Sequence, residues 1–152
     1  MIEIRKMVSA DSDYVRAMMR CFYSSDAVAT SVSEEIFESD IENCINGSPY
    51  LEGYVFWDTG ERIGYAMLAK SFSTEYGRPC IWIEDIYLLP EHRKRGVASM
   101  FFDFLKAEYP GTIQRLEVED YNTGAIRAYE KNGFDRMPYS EMKRLIYGEG
   151  DL

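Results

Sequence analysis

Histidine is almost absent from this sequence, and cysteine is scarce. His92 is the only histidine among 152 residues, so a metal site built on several imidazoles is excluded and we expect no metal. Cys21, Cys44 and Cys80 are odd in number, widely spaced, and form no CxxC pair. They predict three buried, reduced thiols rather than a disulfide framework, which indicates a cytoplasmic protein.

Long apolar runs are also missing. The apolar stretches are short and interrupted by charge, so we expect no segment to span a bilayer. The first ten residues, MIEIRKMVSA, lack the apolar core of a signal peptide and predict a strand instead. Hydrophobic residues still make up 46% of the chain, with 12 tyrosines and 8 phenylalanines. This composition predicts a single packed globular domain over residues 1–152.

Positive charge is in deficit. The chain has 26 Asp plus Glu against 17 Lys plus Arg, a formal net charge of -9. Such a surface repels nucleic acid and attracts cations, including protonated amines. An acidic balance is ordinary for a cytoplasmic protein, so the charge is a weak indication by itself. We expect neither a nucleic-acid partner nor a membrane partner.

Helix and strand patterns alternate in an order that predicts an α+β fold with a mixed sheet. Strands are indicated at residues 2–7, in the two arms YLEGYVFW and RIGYAMLAKSF around the turn DTGE, in CIWIEDIYLL and in IQRLEVE. About four helices are indicated, the first from an Asp11 cap to about Tyr23, then from Ser33 to Asn46, over VASMFFDFLKAEY, and from Asn122 to Gly133. The tail from Phe134 to Tyr147 predicts one or two further antiparallel strands.

A cluster of positive charge stands out in this acidic chain. Arg93, Lys94 and Arg95 come immediately before Gly96 and an apolar helix. The start of a helix presents unpaired backbone N–H groups and the positive end of its dipole. Gly96 lets a ligand approach the backbone, and Ala98 is nearly as small. From these residues alone, two interpretations stay open: a phosphate-binding turn or a solvated basic loop.

A second stretch, NTGAIRAYEKNGF, follows the last predicted strand. Asn122, Ala125 and Tyr129 are spaced by three and four residues, so they share one face of a helix. In most helices such an Asn is an N-cap, such a Tyr belongs to the core, and the following Gly133 is a C-cap. This stretch alone is therefore weakly informative.

Taken in order, the two stretches resemble the GCN5-related N-acetyltransferase (GNAT) family. Arg93-x-x-Gly96-x-Ala98 fits the acetyl-CoA loop of that family, R/Q-x-x-G-x-G/A. The second stretch fits N-x-x-A-x-x-x-Y-x-x-x-G-F at every position of the pattern. The detailed match covers residues 80–134, and Lys94 stands where many members have Gly.

The resemblance implies a fold and a cofactor. The fold would be GNAT-like, with a mixed, mostly antiparallel sheet flanked by about four helices. The cofactor would be acetyl-CoA, and no metal would be required. Its pyrophosphate would lie on the backbone amides of Arg93, Lys94, Arg95, Gly96, Val97 and Ala98. Its pantetheine arm would pair with the backbone of Ile86, Tyr87 and Leu88, close to Asn122, Ala125 and Tyr129.

The resemblance also implies the catalytic groups. Glu84 and Asp85 interrupt the apolar strand IWIEDIYLL and are similar to the Glu-Asp pair of polyamine acetyltransferases. By that similarity Glu84 is the base and Asp85 anchors the amine, although either could be the base. A bulge, common in the family here, could bring both side chains to the cleft. The alternative is a structural salt bridge to a neighbouring strand. Tyr129 would give a proton to the departing thiolate.

The acceptor would lie between the first two helices and the C-terminal hairpin. The substrate-binding residues expected there are Tyr23, Asp26 and Asp85, with Glu34, Glu35, Tyr139 and Glu141 as further candidates. We therefore predict an N-acetyltransferase that acts on a primary amine of a small cationic molecule, such as a polyamine. Two alternatives stay open: a protein N-terminal or lysine acetyltransferase, and a non-catalytic acyl-CoA-binding regulatory module. The family habit also suggests a homodimer.

Overall fold

The structure is a computed structural model that describes residues 1–150. Its strands are β1 (Ile2–Lys6), β2 (Leu51–Asp58), β3 (Glu61–Ser73), β4 (Arg78–Leu88) and β5 (Ile113–Leu116). Its α-helices are α1 (Ser12–Tyr23), α2 (Glu34–Ile45), α3 (Val97–Glu108) and α4 (Thr123–Lys131). The α+β order predicted from the sequence is confirmed as far as α4. None of the helices within residues 1–150 is long and apolar enough to cross a membrane.

The five strands form one sheet whose spatial order follows the sequence, β1-β2-β3-β4-β5. The first three pairings are antiparallel, and only β4 and β5 run parallel. A parallel pair needs a crossover connection, and α3 supplies it here. The sheet is therefore mixed and mostly antiparallel, as expected.

The sheet is covered on both faces, because successive side chains of a strand point to opposite sides. On β3, Tyr65 and Met67 pack in the core under α1 and α2, whereas Ala66 and Leu68 pack in the core under α3. The helices contribute buried residues to these cores: Val15, Met19, Phe37 and Ile41 on one side, and Phe101, Phe102 and Leu105 on the other. Two apolar layers thus cover the two faces of the sheet.

The four predicted helix starts are confirmed, and two of the three predicted side-chain caps are formed. Ser33 and Asn122 cap α2 and α4 through their side-chain oxygens. Asp11 does not cap α1, because its carboxylate accepts hydrogen bonds from Val8 N–H at 2.9 Å and Arg62 Nε at 2.7 Å. Asp11 is only 2% exposed, and a charged carboxylate buried that deeply is costly unless hydrogen-bond or ion-pair partners compensate it.

The prediction of strands between Phe134 and Tyr147 is wrong. Residues 134–147 contain no assigned strand. The neighbouring β5 is only 4 residues long, so it offers a short edge for further pairing. Met142 and Leu145 of the tail are 98% and 72% exposed, so these apolar residues find no face on which to bury.

The cysteines differ from one another in exposure. Cys44 and Cys80 are buried free thiols, as predicted, but Cys21 is a free thiol exposed on α1. The prediction of three buried thiols is therefore wrong for Cys21. The cytoplasmic location inferred from the cysteines stays a prediction.

Candidate active site

The pairing between β4 and β5 ends halfway along β4. Their pairing runs only from Cys80 opposite Ile113 to Ile83 opposite Leu116. Beyond this point β4 continues to Leu88 with β3 on one side and, within residues 1–150, no strand on the other. The backbone of Ile86, Tyr87 and Leu88, predicted to bind the cofactor, belongs to this open edge. An open edge can pair with an extended ligand as it would with another strand.

A bulge lies where β4 leaves β5. On β3, Met67 pairs with Asp85 and the next residue, Leu68, pairs with Ile83, so Glu84 has no partner in the register. Such a bulge redirects the side chains around it. Glu84 is exposed, whereas Asp85 is 3% exposed. The irregularity expected from the resemblance is therefore present, but the two carboxylates have different surroundings.

A cleft of about 1280 Å³ opens beside the bulge. It is bounded by α1 and the loop after it, by β4 and β5, by α4 and by the tail. Glu84 and Tyr129, the two predicted catalytic residues, both line it, as does Tyr23. Residues more than forty positions apart in the chain are thus brought to one cavity.

Glu84 combines access to the cleft with a perturbed acidity. Restricted hydration raises the pKa of its carboxyl group, and the negative charges of Asp85, Glu141 and Asp40 raise it further. No lysine or arginine within residues 1–150 forms an ion pair with Glu84 or Asp85, so the alternative of a structural salt bridge is not supported. A carboxylate with a raised pKa is a better proton acceptor near neutral pH.

Asp85, the residue after Glu84, accepts a hydrogen bond from the protein at each of its carboxylate oxygens. The Tyr23 hydroxyl donates to its Oδ1 at 2.6 Å, and the Tyr65 hydroxyl donates to its Oδ2 at 2.8 Å. Burial raises the pKa of Asp85, while the two tyrosine hydrogen bonds lower it. Both oxygens therefore already have donors, and the side chain is not open to the cleft as a direct amine contact would be.

Asp40, a third carboxylate in this region, was missed by the sequence reasoning. It is half-buried on α2, and burial together with the charge of Asp85 raises its pKa to about 6. The available signal was its place three residues after Phe37 and one before Ile41, on the apolar side of the helix. A polar residue on such a stripe is a candidate for a perturbed pKa.

We expect Asp40→Asn to stabilise the protein above neutral pH. A raised pKa means that the folded state disfavours the charged form, so the cost is present above pH 6 and vanishes below the ordinary value of 3.8. Discounted for solvent screening, the gain in unfolding free energy at pH 8 is about 1 to 2 kcal/mol. Urea denaturation at pH 8 and at pH 3.5 measures it. Asp135→Asn, at an exposed position, is the control, and an equal gain at both pH values would contradict the assignment.

Two further carboxylates face the cleft near Glu84. Partial burial raises the pKa of Glu117, as do a hydrogen bond with Glu141 and the charges of Glu141 and Glu84. Glu141 was predicted, but Glu117, which directly follows the end of β5, was not. Within residues 1–150 no group of three or more His, Cys, Asp or Glu side chains is placed to hold a metal ion. The carboxylates give the cleft a negative potential that favours an ammonium group.

The remaining acceptor candidates have other partners or positions. Asp26 contributes its backbone carbonyl to a hydrogen bond from the Tyr121 hydroxyl at 2.5 Å. Glu34 is exposed and pairs with Arg20 at 2.6 Å. Neither they nor Glu35 line the cleft, whereas Tyr139 and Glu141 do. The contact of Tyr121 with Asp26 joins the loop after α1 to the loop before α4 across one end of the cleft.

The turn before α3 has the backbone of an anion site. Lys94 and Gly96 have φ angles of 59° and 81°, the left-handed region that glycine prefers. Gly96 begins α3 with no side-chain cap, and the first helical hydrogen bond runs from Met100 N–H to Gly96 O. The amides of residues 97–99 are thus free to bind a ligand. A Cβ on Gly96 would meet no atom within 4 Å, so the space before this backbone is open.

The arginine side chains of this turn point back to the protein. Arg93 Nε donates to Leu88 O at 2.9 Å, and Arg95 forms an ion pair with Asp58 at 3.0 Å. Arg95 also lies 2.8 Å from His92 Nδ1. These contacts hold the turn in place, so its predicted cofactor contacts belong to the backbone. Lys94 has no ion-pair partner within residues 1–150.

Tyr129 is held by its ring and free at its hydroxyl. The ring packs edge-on against Phe102 and Phe134, with centroids 5.9 Å and 6.0 Å away. Burial raises the pKa of its hydroxyl, which has no hydrogen-bond partner in the described part of the chain. Asn122 and Ala125 form the cap of the same helix, with Ala125 N–H donating to Asn122 Oδ1 at 3.3 Å.

Comparisons with known proteins point to one enzyme family. A sequence model of the acetyltransferase (GNAT) family matches residues 13–134. A curated relative, thialysine N-epsilon-acetyltransferase of Bos taurus, is 34% identical over 92 residues. The alignment covers 59% of this chain and 54% of the bovine protein, so it spans about half the length of that relative.

Solved structures share the whole fold. A possible acetyltransferase from Clostridium difficile 630 superposes with a TM-score of 0.81 at 16% identity, covering 97% of this chain and 99% of that chain. AAC(6')-Iy, in complex with the bisubstrate analog CoA-S-monomethyl-acetylneamine, gives a TM-score of 0.77 at 18% identity, covering 97% and 99%. At these identities the similarity concerns the fold.

Proposed function

The chain belongs to the acetyltransferase (GNAT) family, and from this membership we propose that it transfers an acetyl group from acetyl-CoA to a primary amine of a small cationic molecule. The observation that carries the proposal is the cleft lined by both Glu84 and Tyr129 where the pairing of β4 with β5 ends. The named relatives support it, since one acts on thialysine and another is an aminoglycoside N-acetyltransferase.

The chain offers a consistent place for acetyl-CoA. Backbone amides between Arg93 and Ala98 would hold the pyrophosphate, because the start of α3 is uncapped and the space before Gly96 is open. The open edge at residues 86–88 would pair with the pantetheine arm. When bound, acetyl-CoA supplies an acetyl group activated as a thioester.

Glu84 would remove a proton from the acceptor. An alkyl amine with a pKa near 10 is about one part in a thousand neutral at pH 7, and deprotonating it costs about 4 kcal/mol. A carboxylate whose pKa is raised by restricted hydration and neighbouring charges accepts that proton at a smaller cost. The other carboxylates of the cleft would attract the ammonium form before this transfer.

Asp85 would support this step without touching the acceptor. Its charge raises the pKa of Glu84, and its two tyrosine bonds connect α1 to β4 at the bulge. We therefore propose an indirect role for Asp85 in place of the amine contact expected from the sequence. Tyr23, which lines the cleft, would be fixed by this bond.

Tyr129 would give a proton to the sulfur as it leaves, and we expect Tyr129→Phe to lower kcat by about 10- to 100-fold. The effect is moderate because a thiol with a pKa near 8.5 is already a fair leaving group. The melting temperature should not fall, because the hydroxyl has no hydrogen-bond partner to lose among residues 1–150. Thiol release at saturating acetyl-CoA measures kcat. Tyr50→Phe, at a position 72% exposed, is the control, and an unchanged kcat would remove Tyr129 from the mechanism.

A small acceptor is favoured over a protein because one end of the cleft is bridged. The Tyr121 hydroxyl holds the loop after α1 through Asp26, a contact that would hinder an extended peptide at this end. The test is thiol release from acetyl-CoA with polyamines, aminoglycosides, amino acids and short peptides. Release with small amines supports the proposal. Binding of acetyl-CoA without release for any of these compounds would indicate a non-catalytic module instead.

A further inference from the structure

Arg115 is a cationic residue in a cleft otherwise dominated by carboxylates. It lies on β5 directly opposite Trp82 of β4 and lines the cleft with it. Its neighbour Gln114 donates to Leu105 O on α3, at 3.2 Å, so Gln114 faces the other side of the sheet. Because side chains alternate along a strand, Arg115 points to the same side as Trp82, which is also the side of Glu84.

The guanidinium of Arg115 has no hydrogen-bond acceptor among residues 1–150. It lies 4.5 Å above the centroid of the Trp82 ring, and its Nε atom is buried without a hydrogen-bond acceptor. Within residues 1–150 no carboxylate lies within ion-pair distance of it, although the chain carries a net charge of -9. The two terminal nitrogens have no hydrogen-bond acceptor within residues 1–150 either, and unlike Nε they are not buried, so they are suited to a ligand that brings one.

We propose that Arg115 binds a carboxylate of the acceptor, which is then a small molecule whose cationic, reactive amine lies at the opposite end from its carboxylate. This inference rests on the proposed function, since it assigns the far end of the same acceptor site. A guanidinium presents paired N–H donors that match the two oxygens of a carboxylate. The Trp82 ring fixes the plane of that donor pair.

The positions of Arg115 and Glu84 fit such an acceptor. Arg115 is opposite Trp82, which precedes Glu84 by two residues, so strand spacings put the two Cα atoms about 8 Å apart. A short carbon chain therefore joins an amine at Glu84 to a carboxylate at Arg115. A diamine of the same length would bring an ammonium group to the guanidinium, and that repulsion selects against it.

Arg78 offers a matched control. It lies on the same side of β4 as Trp82, also lines the cleft, and forms no ion pair within residues 1–150. It is exposed and precedes Glu84 by six residues, about 20 Å along the strand, so it cannot reach the same acceptor. A change of charge at Arg78 reports the general field of the cleft without the contact.

The experiment compares 6-aminohexanoate with cadaverine, which have the same five-methylene chain but end in a carboxylate or a second amine. Thiol release should give the higher kcat/KM for 6-aminohexanoate with the wild-type protein. Arg115→Gln should lower that kcat/KM by about 10- to 100-fold, mainly through KM, and leave cadaverine unchanged or improved. Arg78→Gln should change neither substrate appreciably. A preference of the wild type for cadaverine, or an equal loss for both substrates in Arg115→Gln, would overturn the assignment.

Failure of this inference can be told apart from failure of the proposed function. Acetylation of cadaverine but not of 6-aminohexanoate overturns the role of Arg115 and leaves the acetyltransferase intact. If no amine releases thiol, the proposed function fails, and calorimetric titration of the CoA-loaded protein with 6-aminohexanoate decides the site. Binding that is lost in Arg115→Gln and kept in Arg78→Gln supports the carboxylate site, and no binding overturns it.

Discussion

Replacing Glu84 by glutamine should lower kcat by about 100- to 1000-fold at pH 7, the range lost when a positioned base is removed. Glutamine keeps the size of the side chain but cannot accept a proton from the amine. The residual reaction then depends on amine that is already neutral, a fraction that grows about tenfold per pH unit below the amine pKa. The remaining activity should therefore move to higher pH. Thiol release across pH 6 to 10, at saturating acetyl-CoA, measures both effects.

The pH profile separates a base from a merely structural carboxylate. The raised pKa of Glu84 means that the wild-type rate increases as pH rises through that pKa, because only the deprotonated form accepts a proton. This rising limb of the pH–rate profile should be absent from Glu84→Gln. Glu117→Gln makes the same chemical change in the same cleft and should retain the limb. A Glu84→Gln enzyme with the wild-type profile would show that another group is the base.

Replacing Gly96 by glutamate should weaken the binding of acetyl-CoA by about 100-fold or more, because the new carboxylate would lie against the pyrophosphate. The space before Gly96 is open, so the larger side chain meets no protein atom within 4 Å of its Cβ. The charge would also occupy the free amides at the start of α3. Calorimetric titration with acetyl-CoA measures the loss of affinity.

The left-handed backbone at Gly96 calls for a matched variant. With φ at 81°, any side chain there is strained, whatever its charge. Gly96→Gln carries nearly the same shape and strain as Gly96→Glu but no charge. The ratio of their dissociation constants isolates the electrostatic part, and melting temperatures check that both variants fold. Equal affinities for the two variants would mean that no pyrophosphate lies at this turn.

Much of the fold follows from local patterns in the sequence. The strands and helices up to residue 133 were predictable because each carries its own periodicity and several carry caps, as Ser33 and Asn122 do. The prediction of strands in the tail was wrong because a strand also needs a neighbouring edge to pair with and an apolar face to cover. Local alternation of apolar and polar residues shows neither of these. The predicted cap by Asp11 was wrong for a similar reason, since its carboxylate pairs with Arg62, which is 51 residues away.

The candidate site shows the same limit. The motifs predicted Glu84, Tyr129 and the turn before α3, because each motif fixes a local backbone shape with a chemical role. The burial of Asp85 depends on two tyrosines from other elements, which no spacing reveals. Asp40, Glu117 and Arg115 emerged only when the sheet set their neighbours. Their roles depend on which strands and helices meet, and that information is tertiary.

The bulge at Glu84 also decides which face of the sheet each later side chain of β4 points to. Ile81 and Ile83 pack under α3, and after the bulge Ile86 and Leu88 do so as well, while Tyr87 packs under α1. Odd-numbered residues of β4 therefore face α3 before the bulge, and even-numbered residues face it afterwards. Loss or gain of a single residue between Ile83 and Ile86 would exchange the two faces of everything that follows. This stretch should therefore accept no change of length.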